Sequence, residues 1–106
     1  MTPSDLVFVG VNKRVAALDR NSGCLVWQWQ APTRWRIGYI TLLLDGDRLV
    51  VSVNGYIYCL DPATGSQLWN NDMAGFGTGV ASIASVQGQA TSAVAAAVAA
   101  AQHASR

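Results

Sequence analysis

Apolar residues fall along this chain in short runs, each closed by a turn dipeptide or a turn pentapeptide, and the spacing predicts strands throughout the first 88 positions. Asp47 to Val53 reads as a valine-rich strand, Asn54-Gly55 as a two-residue hairpin turn, and Tyr56 to Leu60 as the returning strand. Asp61-Pro62-Ala63-Thr64-Gly65 then supplies a second tight turn. Asp61 accepts backbone N–H groups, Pro62 presets φ for a type I turn, and Gly65 provides the positive φ that closes a bulged hairpin. Ser66 to Asn70 follows as an outer strand carrying Trp69. The same order occurs earlier: Asp5 to Val11, a turn at Asn12-Lys13, Arg14 to Leu18, the turn Asp19-Arg20-Asn21-Ser22-Gly23, and Cys24 to Trp29. Between the two sets lies Ile37 to Leu44, a further strand, followed by Asp45-Gly46. Alternation is poor, since Leu6 to Val9 and Leu49 to Val51 are unbroken apolar runs; strands of this kind are buried on both faces.

The two sets are a repeat. Asp5 to Gln30 recurs without a gap 42 residues later as Asp47 to Asp72, with eight identical pairs: Asp5/Asp47, Val9/Val51, Val11/Val53, Asn12/Asn54, Leu18/Leu60, Asp19/Asp61, Gly23/Gly65 and Trp27/Trp69. A period of about 40 to 45 residues is that of a four-stranded propeller blade, and two blades cannot close a ring. The strands run out of phase with the repeat. The inner strand Ile37 to Leu44, moved by 42, lands on Gly79 to Val86, so the first blade lacks an inner strand and the chain carries a spare one. The expected fold is therefore all-β, with two four-stranded antiparallel blades per chain. Gly79 to Val86 of one subunit completes the first sheet of the next in a closed homo-oligomer. Eight blades, a tetramer, are favoured, with a trimer or pentamer as the other closures. The competing reading is a fragment of a longer propeller, against which the start at Met1 and the distinct tail are weighed.

Residues 17–27 and 59–69 resemble the tryptophan-docking motif AxDxxTGxxxW of pyrroloquinoline-quinone-like propeller repeats. Asp19, Gly23 and Trp27 in the first copy, and Asp61, Gly65 and Trp69 in the second, stand at its defining positions. Cys59 replaces the motif's alanine and Ser22 its threonine. The resemblance implies the fold, usually with eight blades, and makes Trp27 and Trp69 packing anchors. It does not imply the quinone: members that use it also carry a calcium site of acidic and amide ligands and commonly adjacent cysteines, whereas Cys24 and Cys59 stand apart. Trp29 has no counterpart in the second copy, where Asn71 stands, and is expected to be exposed or to meet the tail.

Apolar residues make up 51% of the 106 positions and charged residues only 12%, which suggests that part of the surface faces another subunit. Seven basic and six acidic residues leave no footprint for nucleic acid or an anionic membrane. No apolar run is long enough to span a bilayer, and the amino-terminal residues lack a secretory signal, so cytoplasm is the expected location. Cys24 and Cys59 occupy non-equivalent repeat positions and read as small buried or half-buried apolar residues, with no disulfide; a single histidine, His103, leaves no zinc site and no nucleophile–base pair. No cofactor, metal or catalytic residue is expected. Residues 1–88 form the propeller unit and 89–106 an alanine-rich tail, in which Ala90 to Gln102 is either a helix or disordered.

The candidate ligand site is the loop after the first outer strand. Arg34 and Arg36 flank Trp35, with Tyr39 close behind, a set able to grip an acidic or planar ligand by stacking and bidentate bonding. The competing reading docks Trp35 on a neighbouring subunit. The expected function is thus a non-catalytic oligomeric propeller that binds or scaffolds a protein partner or small ligand. The alternatives are a quinone-binding, dehydrogenase-like protein and a multivalent sugar-binding ring.

Overall fold

The computed structural model describes residues 2–36, 38–86 and 88–91, the last four by their backbone alone. After a 3₁₀ turn at Pro3–Asp5, the described residues form nine strands: β1 (Leu6–Val11), β2 (Arg14–Asp19), β3 (Leu25–Gln30), β4 (Ile40–Asp45), β5 (Arg48–Val53), β6 (Tyr56–Leu60), β7 (Gln67–Asn71), β8 (Ser82–Ser85) and β9 (Gly88–Thr91). They form antiparallel sheets in the orders β1-β2-β3, β4-β5-β6-β7 and β8-β9. The second sheet is a complete four-stranded unit. The first has three strands and lacks an inner one, as the phase of the strands against the repeat predicts.

The turn chemistry follows from the residues. Asn12 and Asn54 both sit at φ 54°, a left-handed position that asparagine tolerates. Each also reaches onward with its side chain: Asn12 Oδ1 accepts the Gly38 N–H at 2.9 Å and Asn54 Oδ1 the Tyr39 N–H at 2.7 Å. The two Asp-to-Gly turns superpose in their bonding. Asp19 Oδ1 accepts Asn21 N–H at 2.8 Å and Asp61 Oδ1 accepts Ala63 N–H at 2.9 Å. Gly23 and Gly65 donate to the carbonyls of Asp19 and Asp61 at 2.8 and 2.7 Å. A bulge sits at the same place in each copy, between Ala17 and Leu18 and between Cys59 and Leu60.

The core lies between the first two sheets. Leu6, Val15, Ala17 and Trp27 from one side meet Leu49, Val51, Val53, Tyr58 and Leu60 from the other, all buried. Trp27 is the fastener. Its Nε1 donates to the Pro62 carbonyl at 2.9 Å, and a Cβ on Gly65 would stand 2.5 Å from its ring, so the indole lies flat on the turn of the next sheet. Phe8 packs against it with ring centroids 6.0 Å apart. Trp29 is half-buried on the neighbouring sheet: it meets Tyr58 edge-on at 5.0 Å and donates to Gln67 Oε1 at 3.3 Å, because β3 runs alongside the face of the second sheet, while the expected tail contact falls outside the described residues.

Four expectations change. β1 is buried on one face only: Val7, Val9 and Val11 are exposed. Trp69, the repeat of Trp27, is exposed as well. Cys24 is exposed and only Cys59 is buried; both are free thiols. The strand expected over Gly79 to Val86 is shorter and not alone, since β8 pairs with β9, and this places Ala90 and Thr91 in a strand where a helix was one expected form. The rest of the alanine-rich segment, with His103, lies outside the described residues.

Candidate functional site

Because neighbouring strands are antiparallel, the connections sort into two ends. One end collects the Asn12-Lys13 and Asn54-Gly55 turns with the loops 31–39 and 72–81. The other collects the turns after β2, β4 and β6. The charges sort with them. The first end carries Lys13, Arg14, Arg34 and Arg36 against Asp72 alone; the second carries Asp5, Asp19, Asp45, Asp47 and Asp61 against Arg20 and Arg48. A chain with almost no net charge is thus strongly dipolar along its strands.

Loop 31–39 is held onto the cationic end by Lys13, which the sequence reading did not single out. Lys13 occupies the second turn position at φ 44°, uncommon for a side chain of its length. Its ammonium donates to the carbonyls of Trp35 at 2.7 Å and Thr33 at 3.5 Å. In the second copy glycine stands at this position, so the departure from the repeat was the available signal.

The indole of Trp35 packs edge-on against Tyr56 with centroids 4.8 Å apart, so it docks within its own chain. It divides the loop's residues between two open clefts. Trp35, Arg36 and Tyr39 line a cleft of about 410 Å³ together with Asn54, Thr78 and Gly79. Arg34 lies on the other side, in a cleft of about 340 Å³ with Tyr56, Tyr58 and Asp72. The four candidate residues therefore do not converge on one point; they form a ridge with Trp35 at its crest and an arginine on each flank. Tyr39 is 53% exposed and Arg34 and Arg36 are both exposed, so their polar groups are free to meet a ligand.

Two further ionisable groups, Cys59 and Tyr58, are shifted by burial. Burial pushes the Cys59 thiol above its ordinary range, which leaves it a poor nucleophile. Burial, then the nearby Asp72 carboxylate, pushes the Tyr58 phenol up. Among the described residues no group of three histidine, cysteine or carboxylate side chains is placed to hold a metal ion. The six carboxylates lie in turns and at strand ends, Cys24 precedes β3 and Cys59 lies in β6. No helix among the described residues is long and apolar enough to cross a membrane.

Antiparallel sheets at a 42-residue period, with the tryptophan of one seated on the Asp-to-Gly turn of the next, define a β-propeller-type repeat module. Residues 11–104 match the family described as outer membrane protein assembly factor BamB, a PQQ-like repeat family, and the chain belongs to it. The matched stretch runs through Gly88 into the alanine-rich segment. No curated protein matches the chain.

Proposed function

We propose that this chain is a non-catalytic binding module whose cationic end takes an acidic, extended segment of a partner protein. One observation carries the assignment: four of the six described cations lie at the end that bears the ridge of Trp35, with Arg34 and Arg36 in the open clefts on its two sides, while five of the six carboxylates lie at the opposite end. Such a ridge suits an extended chain that lays a carboxylate on Arg36 or Arg34 and an apolar group beside Tyr39, more than a small molecule that needs enclosure. The description of the family as an assembly factor for outer membrane proteins supports a partner that is itself a protein.

Fluorescence anisotropy with a labelled peptide of alternating glutamate and tryptophan tests it. Binding that weakens as salt rises, falls roughly tenfold in Arg36→Glu, and is absent for the lysine-tryptophan counterpart is the expected result. Equal binding of both peptides, or indifference to Arg36→Glu, refutes the assignment. Pyrroloquinoline quinone in the same titration serves as the competing ligand, and tight binding of it in place of the peptide also refutes it.

A further inference from the structure

The interface between the first two sheets is built from repeat positions, and both of its halves occur a second time on the outer faces of the described structure. Inside the chain, Trp27 is 8% exposed and the valine-leucine row it helps to cover, Leu49, Val51 and Val53, is at most 1% exposed. Moved forward by 42 residues, Trp27 becomes Trp69, which is 48% exposed. Moved back by 42 residues, the row becomes Val7, Val9 and Val11, which are 44%, 38% and 64% exposed.

The seat is duplicated too. Trp27 rests on Gly65 and the Pro62 carbonyl; the matching positions are Gly23 and Arg20. Gly23 has φ 77° against 79° for Gly65, the same closing hydrogen bonds, and no atom within 4 Å of the point where its Cβ would lie. Among the described residues, one outer face thus presents a tryptophan without a seat, and the other a formed seat without a tryptophan.

We propose that these faces bind each other between two copies of the chain, head to tail. Trp69 of one copy lies on Gly23 of the next and donates from Nε1 to the Arg20 carbonyl, while the row Val7, Val9 and Val11 covers the face of the second sheet that carries Trp69. The occupant is a second copy because the pattern each face requires is the one this chain displays on its opposite face.

The open edge of β1 joins in. In the second sheet the inner strand pairs Leu42 with Val51, and the same register brings Ala84 of β8 opposite Val9 of the incoming copy. Within one chain β9 holds that edge with four residues, in a register that falls four residues short of the β4–β5 pairing when moved by the repeat. The six-residue β1 displaces it and completes a four-stranded sheet, which removes an exposed strand edge. A head-to-tail contact of this kind closes into a ring when its rotation divides the circle.

Sedimentation and native mass measurement of the full chain test this with two variants, Val9→Glu on one face and Trp69→Ala on the other. Both side chains are exposed in the single chain, so far-UV circular dichroism is expected to be unchanged; Val11→Glu replaces Val9→Glu if it is not. The wild type is expected to form a closed oligomer, and each variant to associate at least ~30-fold more weakly. Mixing the two variants restores one intact contact per pair, so a heterodimer and nothing larger is the expected species. A wild type that stays monomeric overturns the proposal. So do variants that sediment as the wild type, or a mixture that forms no heterodimer. None of these readouts depends on what the cationic end binds.

Discussion

Gly23 and Gly65 offer a controlled measurement of what tryptophan docking contributes. Alanine at either position must adopt the same left-handed backbone, at about 1–2 kcal/mol, partly offset by a gain of about 0.4–1 kcal/mol from the stiffer unfolded chain. Gly23→Ala meets nothing further, because no atom lies within 4 Å of the added methyl. Gly65→Ala places that methyl 2.5 Å from Cε3 and 2.7 Å from Cδ2 of Trp27, ring atoms held in a closed core. The indole has to lift, which strains or breaks its bond to Pro62 and opens its contact with the turn. Overpacking of this kind costs about 1–3 kcal/mol. Gly65→Ala is therefore expected to destabilise by about 1–3 kcal/mol more than Gly23→Ala. Urea unfolding, followed by circular dichroism in the Val9→Glu background so that self-association does not enter, reads the difference as a midpoint shift of about 1 M, with equal slopes. Equal midpoints for the two variants would refute the reasoning, since they would mean that Trp27 is not pressed on Gly65 in solution.

The two motif tryptophans should also separate. In the same background Trp27→Ala is expected to cost about 3–5 kcal/mol and Trp69→Ala less than about 1 kcal/mol, so a similar loss for both in urea unfolding would contradict the burial that distinguishes them. With a thiol reagent in excess, Cys24 should be labelled at once and Cys59 only at the rate of unfolding, and rapid labelling of both would show that β6 is not shielded. Alkali should destabilise the fold. Cys59 and Tyr58 have folded pKa values raised above their ordinary 9.0 and 10.0, so the native state holds more protons than the unfolded state above those values. Stability is then full below about pH 9 and falls as pH rises through 9 and 10, and Cys59→Ala should delay the onset; a thermal midpoint independent of pH over that range would contradict the burial of both groups.

The strands and turns of the first two sheets could be read from the sequence because each rests on local chemistry. Asn12 and Asn54 tolerate a left-handed turn, and Asp19 and Asp61 bond their own turns. Gly23 and Gly65 close those turns without a Cβ. The docking motif likewise made Trp27 a packing residue before any coordinates. Other features depend on which surface arrives opposite, and local sequence carries no record of that. Trp29 was open between solvent and tail, and it is the neighbouring sheet that supplies Tyr58 and Gln67. Sequence places Arg34, Trp35, Arg36 and Tyr39 in one loop, whereas Trp35, by docking on Tyr56, sends Arg34 and Arg36 to different clefts. Lys13 went unnoticed because its function is to bond carbonyls 20 and 22 residues away.

By itself, then, the sequence determined the repeat, its period, the turns and the chemical identity of the docking residues, all set by side-chain size, φ preference and short-range hydrogen bonding. Only the tertiary structure decided that Trp27 is seated while Trp69 is not, that Val7, Val9 and Val11 face outward while their counterparts are sealed, and that the charges separate to opposite ends. Burial is a relation between two surfaces, and identical residues in a repeat acquire different fates when one copy meets a neighbouring sheet within the chain and the other does not among the described residues.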